Sequence, residues 1–111
     1  MESPLTERDW KYLRRIHDEM LATLCARINK AAAEMASDSS SSPYQQYLKL
    51  YQHVQDSDHI VAECFNDWRR STLSNRILSL RYHRLLTDEH VQGLSAEAQQ
   101  WLNKVEKVLN E

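Results

Sequence analysis

Apolar residues recur along the first third of the chain at three- and four-residue intervals: Trp10, Leu13, Ile16, Met20, Leu24, Ile28, Ala31 and Met35. Residues so spaced share one face of an α-helix. The pattern predicts a helix over 7–36, about 45 Å long at 1.5 Å per residue. Its start is marked by local chemistry. Thr6 can cap it, Asp9 stands where a capping box usually has Glu, and Leu5 and Trp10 occupy the two staple positions. So long a helix exceeds the usual three to four turns and needs a partner along its length.

The run Asp38-Ser39-Ser40-Ser41-Ser42-Pro43 predicts a linker over 37–43. Serine hydroxyls compete for backbone hydrogen bonds, and proline cannot extend the preceding helix. Pro43 can open the next helix, with Ser42 as its cap. Beyond it, Tyr47, Tyr51, Val54, Asp58, Val61, Phe65 and Trp68 form a four-three stripe, like a coiled-coil seam of about three heptads. This predicts a continuous helix over 44–69, packed antiparallel on the first, with Asp58 in the seam unless Asp56-Ser57-Asp58 breaks the helix.

A third helix is expected over 72–86, with Leu78, Tyr82, Leu85 and Leu86 on one side and Leu73, Ile77 and Leu80 on the other. A helix apolar on two sides is sandwiched between neighbours or lies at an oligomer interface. Thr87-Asp88-Glu89-His90 predicts a cap and an acidic first turn, which Gly93 would end at the C′ position. Ser95 caps a last helix over 96–110, whose stripe is Ala98, Trp101, Leu102, Val105, Val108 and Leu109. The expected architecture is all-α: one domain over 1–111, an antiparallel bundle of three to four helices with a long N-terminal helical hairpin.

Composition narrows the function classes. The single glycine, Gly93, cannot supply hairpin turns or a phosphate-binding loop. No serine sits on a glycine-flanked turn, so nucleophilic catalysis has no support. No cofactor is expected, and an enzyme is the lesser expectation. The acidic N-terminus has no apolar stretch of a secretion signal, and no window is long and apolar enough to span a membrane. Cys25 and Cys64 stand alone among apolar neighbours, which suits reduced thiols in a cytoplasmic protein.

The formal charge is −2; residues 69–84 hold five arginines and no acid, so +5 there leaves −7 elsewhere. Arg69, Arg70, Arg76, Arg81 and Arg84 are therefore candidates for binding an anion or nucleic acid. Against this, Leu73, Ile77 and Leu80 fall between them, and a pI near 6.2 is low for a dedicated nucleic-acid binder. Asp56, His59 and Glu63 share a helical face at i, i+3 and i+7 and would be the centre of a metal-dependent enzyme. They lack the second Glu-x-x-His half of a di-iron bundle, so no residue is assigned as a metal ligand. The leading expectation is a non-enzymatic helical interaction or regulatory protein, working as a homodimer or with another protein. Its contacts would be Tyr44, Tyr47 and Tyr51, since tyrosine suits half-wet interfaces, together with Leu73, Ile77 and Leu80.

Overall fold

A computed structural model of the chain describes residues 4–110. It is all-α: α1 (Glu7–Ala36), α2 (Pro43–Phe65), a 3-10 turn (Arg70–Thr72), α3 (Leu73–Tyr82), α4 (Asp88–Gln92) and α5 (Ala96–Leu109). Residues 1–3, on which part of the secretion-signal reading rests, lie outside the described residues. The limits of α1 are those the periodicity predicts. Its capping box forms as expected: the Thr6 N–H donates to Asp9 Oδ2 at 2.9 Å and the Asp9 N–H to Thr6 Oγ1 at 3.2 Å. Ser42 caps α2 by accepting from the Gln45 N–H at 3.2 Å, with Pro43 at the first helical position. The two long helices fold back on each other as a hairpin.

Two helices end sooner than expected. α2 stops at Phe65 rather than 69, because Asn66 is extended and Asp67 turns left-handed with φ 55°. α3 stops at Tyr82 rather than 86. Here Arg84 is left-handed (φ 57°), the Leu85 N–H donates to the Leu80 carbonyl at 2.8 Å, and the Arg84 N–H to the Arg81 carbonyl at 3.0 Å. This is a Schellman end with arginine at the position glycine usually holds. Gly93, expected in that role after α4, is instead right-handed, with φ −80°. Its value is space: a Cβ there would lie 2.5 Å from Tyr12 Cζ.

The third difference concerns rotation. α2 turns Gln46, Leu50, His53, Ser57, Ile60 and Cys64 toward α1, one residue before the stripe that reads as the seam. The rotation is set at the base, where Cys64 is wholly buried in the core; stepping back from it by fours and threes reaches Ser57, His53 and Gln46. Polar bonds hold the rest of the register. His53 Nε2 lies 3.0 Å from the Ile28 carbonyl oxygen, and the Gln46 amide donates to the Asp38 carbonyl. Asp58 therefore neither breaks the helix nor sits in the seam; it is on the outer surface.

The core occupies one end of the molecule. Leu13, Ile16, Met20 and Leu24 of α1 meet Cys64 and Phe65, then Leu73, Ile77 and Leu80, then Leu85, Leu86, Leu94, Ala98 and Leu102. Both apolar sides expected of the third helix contribute to this cluster, except that Tyr82 stands exposed. From Cys25 to Asp56, by contrast, no residue is buried. That half of the hairpin projects as an arm. The radius of gyration is 17.0 Å, against about 13 Å for a compact chain of this length.

Candidate interaction surface

The outer face of the arm carries the stripe that the register leaves uncovered. Tyr44, Tyr47, Tyr51 and Val54 are each 52–68 % exposed, and Leu48 is 43 % exposed. The three tyrosine rings form a ladder, with centroids 6.5 and 6.3 Å apart and planes within 25° of parallel. Gln55 Nε2 donates to the Tyr51 hydroxyl at 3.0 Å. A shallow cleft of about 330 Å³, lined by Ile28, Val54, Gln55, Ser57, Asp58 and Val61, continues the stripe toward the core. An exposed run of large apolar side chains edged by polar groups makes this stripe a candidate contact surface. Gln46 and His53 share the inner side of this arm with Leu50, Ile28 and Met35, while the aromatic residues face out.

The other expected contact residues are elsewhere. Leu73, Ile77 and Leu80 are buried in the core of the same chain, so none is presented to a partner. The arginines of 69–84 are mostly engaged within the molecule. Arg69 pairs with Asp67 (Nη2–Oδ2 2.9 Å), and Arg70 with Glu7 at 2.7 Å while standing 5.2 Å from the Trp10 ring centroid. Arg76 donates to the Glu63 carbonyl. Arg81 bonds Glu106 at 2.7 Å, the Leu86 carbonyl at 2.9 Å and Asp88 at 3.0 Å, tying α3 to α4 and α5. Arg84 is exposed, as Arg69 and Arg70 are, but has no ion-pair partner among the described residues; its backbone carbonyl is gripped by Arg27 Nη2 at 3.0 Å. These groups share a segment of sequence but not a face; Arg69, Arg70, Arg76 and Arg81 each have at least one partner within the chain, while the buried Arg76 Nε has none.

Asp56, His59 and Glu63 do not converge. Asp56 accepts from Gln52 at 2.8 Å, and Glu63 turns to His83 Nε2 at 2.9 Å. Among the described residues no three His, Cys, Asp or Glu side chains are gathered as a metal would need. Cys25 and Cys64 are unpaired thiols. Burial first, then the neighbouring Glu63, pushes the Cys64 thiol up to about 11 against an opposing pull from Arg76, so it stays protonated at neutral pH. No described helix is long and apolar enough to cross a membrane.

One feature outside the expected sites concerns charge. Arg8, Lys11, Arg14 and Arg15 are all exposed on the first turns of α1, and none is in an ion pair among the described residues. Acids nearby in sequence hide this cluster from a simple charge count, because Glu7, Asp9, Asp18 and Glu19 alternate with the cations. The chain matches no known protein family, no curated protein and no solved structure.

Proposed function

We propose that this protein is a non-enzymatic docking protein whose working surface is the Tyr44–Tyr47–Leu48–Tyr51–Val54 stripe, and that its partner there is a second copy of the chain. The observation that carries this is the exposed stripe: Tyr44, Tyr47, Tyr51 and Val54 face out while Gln46, Leu50 and His53 take the inner side of the arm. The stripe is self-complementary in the antiparallel sense. With α2 antiparallel to its copy and Tyr51 on the twofold axis, Tyr47 and Leu48 of each chain meet Val54 and Gln55 of the other. Tyr44 then faces Asp58, which is placed to accept from its phenol. Such an isologous pairing is the commonest form of oligomer. It would turn two hairpin arms into a four-helix bundle. The same reading takes the protein to work in the cytoplasm, supported by its two free thiols.

Sedimentation equilibrium at 10–100 µM tests it. The expected mass is twice 13.1 kDa. Tyr51→Glu should return it to the single-chain mass, because a residue on the axis puts two carboxylates against each other. A wild-type mass of one chain throughout that range would sink the pairing.

A further inference from the structure

We propose that the outer face of α1 near its start binds a compact polyphosphate group, at a site separate from the arm. Arg8, Lys11 and Arg15 stand at i, i+3 and i+7 on one exposed helical face, a rise of about 10 Å. With Tyr12, Glu7 and Gly93 they line an open cleft of about 490 Å³. Among the described residues none of the nearby carboxylates forms an ion pair with them, although Glu7 lines the cleft beside them. Glu7 pairs with Arg70 at 2.7 Å, and Asp18 accepts from its neighbour His17 at 2.9 Å. Glu19 faces His90 Nε2 at 3.8 Å. Asp9 is buried and accepts from both Thr6 and Ser95. Arg15 could reach Glu19 one turn on, yet its guanidinium lies 5.3 Å from the Tyr12 ring centroid. Tyr12 occupies the space that Gly93 leaves by lacking a Cβ, so the floor of the cleft is set by α1 and the end of α4 together.

Arg8, in the first turn of α1, opposes the helix dipole, so its charge is not placed there for the stability of the helix. Two planar guanidinium forks and an ammonium suit phosphate oxygens. The size of the patch selects the ligand. It spans two turns and then meets Asp18 and Glu19 along α1, Glu7 edges it, and the chain as a whole carries −2. A long polyanion would be repelled beyond the patch, whereas two or three linked phosphates fit within it.

Titration with inorganic tripolyphosphate at 50 mM salt, followed by amide shifts, tests the proposal. Saturable shifts centred on residues 8–15 and 93 are expected, weakening steeply with added salt. The triple variant Arg8→Gln, Lys11→Gln, Arg15→Gln should lose about tenfold in affinity, and each single variant about two- to fivefold. All three side chains are exposed, so far-ultraviolet circular dichroism should match the wild type. Arg84→Gln should bind as the wild type does. A nucleoside triphosphate bound equally well identifies the phosphate chain as the ligand, and one bound more tightly adds a nucleoside contact; both support the site. No saturable shift by 5 mM tripolyphosphate, an unchanged triple variant, or tighter binding of a twelve-nucleotide RNA would each overturn it.

Discussion

Asp9 shows how much one side chain can do in a small core. Its carboxylate is buried, completes the cap of α1 through Thr6, and accepts from the Ser95 N–H at 2.7 Å and the Ser95 hydroxyl at 2.7 Å. Ser95 in turn caps α5 by accepting from the Ala98 N–H at 3.2 Å. One acid therefore joins two helix starts that lie 86 residues apart. Asp9→Ala would leave buried donors on both helices without an acceptor, so it should cost about 2–4 kcal/mol in urea unfolding. Burial pushes the Asp9 pKa up, but the Ser95 and Thr6 hydrogen bonds outweigh it and hold the pKa below its ordinary value. The sign follows from that depression. The stabilisation is fully present above the unfolded pKa, about 3.9, and is lost as pH falls from there through the lower folded value. Asp9→Asn should therefore flatten the acid limb of a stability-against-pH curve. An acid limb identical in both proteins would remove Asp9 as its cause. Position and residue type announce the capping role, but burial and the bond to Ser95 are tertiary facts that no local pattern carries.

At the scale of elements, helix starts are more legible than helix ends. Thr6, Ser42, Thr87 and Ser95 each cap a helix through the local hydroxyl chemistry that their positions announce. The ends of α2 and α3 depend on left-handed residues, and these are Asp67 and Arg84 rather than glycine. Arginine pays a steric cost in that conformation, so nothing in its identity marks a stop. What holds Arg84 there is tertiary: Leu80, Leu85 and Leu86 are buried on either side of it, and Arg27 donates to the His83 and Arg84 carbonyls at 2.8 and 3.0 Å. The Arg84 side chain makes no ion pair among the described residues, so replacing it removes the strain and little else. Arg84→Gly should raise the unfolding free energy by about 0.5–1 kcal/mol. A loss of that size would mean that the arginine side chain contributes more than its backbone strain costs.

At the scale of the molecule, the chain divides into a packed end and an arm. The periodicity of α1 reveals its length and its buried face, because one stripe there is clearly the more apolar. α2 has two stripes one residue apart, and apolarity alone selects the wrong one. The inner stripe is fixed by the burial of Cys64 and by a histidine bond to the backbone of α1, neither of which shows in a hydrophobic pattern. The more apolar stripe is informative because it divides: at the base Phe65 and Trp68 do pack on α1, edge-on to His17, whereas along the arm Tyr47, Tyr51 and Val54 face outward. The energetics give this a measurable form. With no residue buried between Cys25 and Asp56, the arm should open locally at much lower free energy than the core. A second copy seated on the stripe would close that gap by mass action, so arm protection should depend on concentration. Hydrogen exchange should show arm amides, over 26–56, slowing about tenfold or more between dilute and concentrated protein, while amides around Leu13, Met20 and Ile77 do not change. In Tyr51→Glu the arm should exchange fast at every concentration. Arm amides as slow as the core ones, and indifferent to dilution, would mean that two helices suffice to hold the arm and that the exposed tyrosines are not there to be covered.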